Sequence, residues 1–88
     1  MEIEFLDRFT KELDKIKVKS VKTSVVKLIQ KVELANNLHD IPNIKKLEGH
    51  KSAYRIRLGD YRVGIFVEGN RIEFARIIHR KDIYKSFP

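Results

Sequence analysis

Six of the seven arginines in this chain, Arg55, Arg57, Arg62, Arg71, Arg76 and Arg80, lie between positions 55 and 80, while the first half takes its positive charge almost entirely from lysine. A guanidinium is a planar fork that stays charged near neutrality and matches the oxygens of a phosphate. Arg55 and Arg57 stand two apart in an alternating run, so they share one face of a strand. Arg62 holds the same face of the next run. Three guanidinium groups on neighbouring strands make a surface that holds a phosphate and stabilises charge building on it. The plainer reading is a solvated basic face that protects the sheet from edge pairing. His79 sits beside Arg80, and an imidazole exchanges a proton close to neutrality.

The elements that position these residues are legible. Tyr54–Leu58, Tyr61–Val67 and Arg71–His79 each alternate, and they are separated by Gly59-Asp60 and Gly69-Asn70. A glycine-first pair between alternating runs predicts two-residue hairpins with type II′ turns. The product is a three-stranded antiparallel meander. Tyr54, Ile56, Leu58, Tyr61, Val63, Ile65 and Val67 take the face opposite the arginines.

Upstream, Met1–Phe5 alternates as a short strand with Met1, Ile3 and Phe5 inward. Leu6, Phe9, Leu13 and Ile16 form the apolar stripe of a helix over 6–16. A second helix is expected from a Ser20 N-cap, with Val21, Val25, Leu28, Ile29 and Val32 buried, to a stop at Asn36-Asn37. The two helices form a hairpin that covers the sheet; the alternative is that their stripes form a groove for a partner helix. Residues 38–53 read as a loop or a short turn of helix, broken by Pro42 and anchored by Ile44 and Leu47.

Eighty-eight residues bound one domain, 1–88, with a modest core. The net charge is +7. Residues 1–44 carry eight Lys/Arg against seven Asp/Glu, and residues 45–88 carry eleven against five. So one-sided a surface attracts polyanions: RNA, DNA or an acidic protein. There is no cysteine, hence no disulfide framework and no thiolate metal site. The three histidines show no ligand spacing for zinc; His39 and His50 are expected in solvent. The acidic start is not a signal peptide and no run is long enough to span a membrane, which fits the cytoplasm.

The stretches YRIRLGDYRV (54–63) and HRKDIY (79–84) resemble the RelE/ParE superfamily of type II toxin–antitoxin toxins, the RelE branch most closely. The resemblance implies an α+β RelE-like fold in the order β-α-α-β-β-β, an antiparallel sheet with a two-helix hairpin on one face. It implies a toxin that cuts messenger RNA in the ribosomal A site, the substrate's own 2′-hydroxyl attacking the adjacent phosphorus. No metal, cofactor or membrane is implied; the partners are a cognate antitoxin and the ribosome with its messenger RNA.

Carried over by residue, Arg55 and Arg57 match two basic positions of the first meander strand, Arg62 an arginine of the second, and Arg80 the arginine after the last. Tyr84 matches a tyrosine that stacks on or orients a base. Lys45, Lys46, Lys51, Arg76 and Lys81 are the flanking cations assigned to RNA phosphates. The family pattern has lysines where Arg55 and Arg57 stand, and arginine is not a proton acceptor. That leaves His79 as the candidate base. A final helix found in some relatives is missing, and Phe87 is expected to fold back on the sheet. Two other functions fit the resemblance: a ParE-like gyrase poison without catalysis, and an inactive RNA-binding relative.

Overall fold

The computed structural model describes the backbone of all 88 residues and every side chain except those of Tyr84 and Lys85. The expectation for the Tyr84 ring therefore lies outside the described residues. The chain runs β1 (Glu2–Phe5), α1 (Asp7–Lys15), α2 (Lys19–Leu34), a 3-10 turn (Leu38–Asp40), β2 (Ile44–Lys46), β3 (Ala53–Leu58), β4 (Tyr61–Glu68), β5 (Arg71–His79) and the single turn α3 (Ile83–Ser86). The expected β-α-α-β-β-β order is present, with β2 and α3 added to it.

The strands form one sheet in the order β1-β5-β4-β3-β2. β1 lies parallel to β5, and the other pairs are antiparallel. The sheet is thus mixed rather than wholly antiparallel. The helix hairpin between β1 and the meander is the crossover that makes a parallel pairing reachable. Gly59 and Gly69 adopt φ +60° and +56°, and among the described residues Asn43 is the only non-glycine at positive φ. Each hairpin therefore has positive φ at its first turn position alone, the type II′ pattern.

Phe9, Ile16, Val25, Leu28 and Val32 from the helices pack on Ile56, Val63, Ile65, Ile72, Phe74 and Ile77 of the sheet. Phe9 meets Phe74 edge-on at 5.3 Å and Phe5 at 5.9 Å, which docks α1 on β5. A smaller cluster, Ala53, Ala75, Ile78, Ile83 and Phe87, lies on the other face with Phe66 and Leu6 against it. Phe87 does fold back, as the extended residue directly after α3.

Two caps differ from expectation. Val18 precedes α2 without a side-chain cap, and Ser20 lies inside the helix, its carbonyl accepting the Ser24 hydroxyl. α2 stops at Leu34 with Ala35 extended, and Asn37 instead caps the 3-10 turn by accepting the His39 N–H at 2.9 Å. Docking on the sheet, rather than capping chemistry, sets where this helix begins and ends.

Candidate nucleic-acid interface

The β3–β4 hairpin builds the site. In its register Arg57 stands opposite Arg62, and Arg55 opposite Gly64. β2 adds Lys45 opposite Arg55. These side chains lie on the face away from the helices. There a groove of about 340 Å³ is lined by Asn43, Ile44, Lys45, Arg55, Arg57 and Arg62. Four of the six are cations and none is a carboxylate, so the lining itself is positively charged.

Each arginine is held differently. Arg62 is half-buried and its Nη1 donates to the carbonyls of Gly59 and Tyr61, both at 2.8 Å. The type II′ turn thus fixes its head and leaves the rest of the fork for a ligand. Arg57 is exposed, with Nη2 3.4 Å from Asn43 Oδ1. Asn43 itself takes φ +60°, a conformation asparagine tolerates, at the turn into β2. Arg55 is half-buried between β2 and β4. Arg80 lies at the same end of the sheet: its N–H donates to the Asp60 carbonyl at 2.8 Å, and its Nε is 3.8 Å from Asp60 Oδ1. That ion pair is open to water on both sides and worth little, so the guanidinium remains available to an anion.

The structure does not bring every candidate together. His79 pairs with Tyr61, meets its ring edge-on at 5.5 Å, and accepts the Lys81 N–H through Nδ1 at 3.3 Å. It belongs to the helix side with Val18, Ser20 and Val21, the side opposite the arginine groove. Arg76 shares the arginine face by register but is committed elsewhere, to Glu12 and the Ser86 carbonyl. Lys46 is the partner of Tyr54 and so sits at opposite parity to Lys45. Lys51 is exposed in the β2–β3 loop, and Lys81 in the turn after β5. Asn43 in the lining and Gly64, the register partner of Arg55, carry no charge and gave weaker signals. Asn43 follows Pro42 in a turn, and Gly64 interrupts a strand, the usual mark of a close approach. Among the described residues no group of three or more His, Asp or Glu side chains stands close enough to hold a metal ion.

The sequence profile described as ParE toxin of type II toxin–antitoxin system, parDE, matches residues 3–84. The chain belongs to this toxin family. A curated relative, Toxin RelE3 of Methanocaldococcus jannaschii, is 38% identical over the full length of both chains. Among solved structures, the RelB–RelE antitoxin–toxin complex from Methanococcus jannaschii matches with TM-score 0.81 and 37% identity, covering 97% of this chain and 99% of the other. The archaeal RelE–RelB complex from Pyrococcus horikoshii OT3 matches in fold, with TM-score 0.73, 24% identity and coverage of 90% and 93%. Both relatives above 30% identity described here carry the RelE name. Among the described residues no helix of this toxin is long and apolar enough to cross a membrane.

Proposed function

We propose that this toxin is a ribosome-dependent endoribonuclease that cuts messenger RNA in the A site, and that a RelB-like antitoxin restrains it. The observation that carries the reading is the groove in which Lys45, Arg55, Arg57 and Arg62 converge with no carboxylate between them. In-line attack of a 2′-hydroxyl on the adjacent phosphorus needs the backbone held extended and the growing negative charge met by fixed donors. A rigid hairpin that presents guanidinium groups from two adjacent strands supplies both. Each well-placed donor of this kind is worth about 10²–10³ in rate. Arg80, bonded to Asp60 of the hairpin's turn, extends the positive field along this end of the sheet. Catalysis rests on positioning and charge, with no metal and no cofactor. The antitoxin follows from the RelB–RelE complexes that the chain matches.

Single-turnover cleavage on ribosomes programmed with a defined codon tests the reading. The toxin should cut the message in the A site, and the Arg55→Ala, Arg57→Ala, Arg62→Ala triple variant should not. Intact message together with DNA breakage on expression would overturn it in favour of a gyrase poison.

A further inference from the structure

Arg76 stands on the same row of the sheet as the groove, since Lys45, Arg55, Gly64 and Arg76 are successive register partners. Its fork nevertheless turns to Glu12 on α1. Nε is 2.9 and 3.0 Å from the two carboxylate oxygens, and Nη2 is 2.8 Å from Oε2. Nη1 donates to the Ser86 carbonyl at 2.9 Å. Glu12 Oε1 also accepts the Ile77 N–H at 3.1 Å. β1 ends its pairing at Phe74, so this N–H lies on β5 beyond the end of its partner. One carboxylate and one guanidinium thus join α1, β5 and the C-terminal turn, with side chains only 22% and 13% exposed.

That turn sits where it matters. Phe87 is 7% exposed and lies over Gly64, the register partner of Arg55. A Cβ on Gly64 would stand 2.7 Å from Phe87 Cγ, so the missing side chain is the notch that admits the ring. A single helical turn does not hold itself in water. Among the described residues, the small cluster around Ile83 and Phe87 and the Arg76–Ser86 hydrogen bond tie it to the rest of the fold. α1, in contrast, is already docked by the Phe5, Phe9 and Phe74 rings. The Glu12–Arg76 pair is not needed to attach that helix.

We propose that Glu12 and Arg76 are positioning residues for the groove: they clamp residues 83–87 against the sheet, so that Phe87 fills the Gly64 notch and holds the backbone next to Arg55 from just outside the groove lining. The consequence for RNA rests on the ribonuclease reading; the clamp itself does not. Charge-assisted, forked hydrogen bonds of this kind fix orientation as well as contact. Small misplacement of a positioning element is enough to lower the rate of an in-line reaction.

The test uses the full chain and three changes. Arg76→Met opens the clamp, Gly64→Ala expels Phe87 from the other side, and Glu12→Arg with Arg76→Glu reverses the pair. Amide exchange of residues 83–87, urea melting and single-turnover cleavage are read on each. Arg76→Met and Gly64→Ala should each speed exchange at 83–87 and lower cleavage by about 10-fold to 10²-fold. Combined, they should lose little more than either alone, because both release the same turn. The reversed pair should regain melting but not cleavage, since a carboxylate at 76 cannot donate to Ser86 and a guanidinium at 12 cannot accept from Ile77. Unchanged exchange in Arg76→Met, multiplicative losses in the double variant, or cleavage restored by reversal would overturn the proposal. If the parent chain cuts no RNA, the ribonuclease reading falls, and exchange at 83–87 alone decides the clamp.

Discussion

Arg57 and Arg62 face each other directly across the β3–β4 hairpin. Like charges in that relationship repel, and the two heads turn apart: Arg62 to the carbonyls of the turn, Arg57 toward Asn43. A cross-strand pair is worth roughly 0.2–1 kcal/mol, and here the sign is unfavourable. Arg57→Thr should therefore stabilise the fold by about that amount while lowering cleavage about 10²-fold. Urea unfolding and ribosome cleavage on the same preparation check both halves. A variant that is less stable than the parent would show that the opposed arginines are structural and not retained for a ligand.

The salt dependence of binding counts phosphate contacts. On single-stranded RNA each neutralised phosphate contributes roughly 0.7 to the slope of log affinity against log salt. Replacing Arg55, Arg57 and Arg62 with alanine should lower affinity and reduce that slope by about 2. Arg71→Ala should leave the slope unchanged, because Arg71 is at the far hairpin end, between Glu4 and Glu73. An unaltered slope in the triple variant would mean that the groove meets something other than phosphate.

The meander, both turns and the grouping of Arg55, Arg57 and Arg62 were legible because strict alternation and glycine-first turns leave little freedom. The extent of β5, Arg71–His79, was equally legible, but the facing of its side chains was not, because the strand pair carries an irregularity. The β4–β5 register shifts between Gly64 and Ile65, so Ile65 pairs with Phe74 and Gly64 with Arg76, and Ala75 is skipped. Ile72 and Phe74 face the helices before the bulge; Ile77 and His79 do after it. Adjacent isoleucines at 77 and 78 hide that change of parity, since both faces are apolar there. This is why His79 was placed with the arginines and belongs to the other side. The fate of Arg76 was equally hidden, because its partner Glu12 is far away in sequence. β2 went unread because three residues after a proline carry too short a pattern to register.

The turn that anchors Arg62 can be separated from turns that only fold the chain. Gly59 and Gly69 have nearly the same positive φ in the same turn type. With a Cβ, each position is strained by about 1 kcal/mol or more. Gly59→Ala and Gly69→Ala should therefore lower the melting midpoint alike. Only Gly59→Ala should reduce cleavage beyond what instability explains, because the Gly59 carbonyl receives the Arg62 guanidinium. Equal activity in the two variants would remove the turn from the site.

The pH profile bears on how the 2′-hydroxyl loses its proton. Arginine cannot accept it, and His79 is on the opposite face, beside Tyr61. Of the described side chains that line the groove, Lys45 alone carries an amine, and it is exposed on a three-residue edge strand. Under the ribonuclease proposal, an exposed lysine there serves as a phosphate contact. If none of the described side chains acts as the base, hydroxide removes the proton, and the rate should rise about tenfold per pH unit through neutrality without a plateau. His79→Ala should run parallel to the parent and within about threefold of it, far less than loss of a general base would produce. Lys45→Met should lower the whole line, and Lys45→Arg, which keeps the charge, should restore it. A plateau that disappears in Lys45→Arg would assign the proton transfer to that amine, and an inflection that disappears in His79→Ala would return it to the histidine. Single-turnover cleavage on programmed ribosomes across the range in which ribosomes stay intact distinguishes the three.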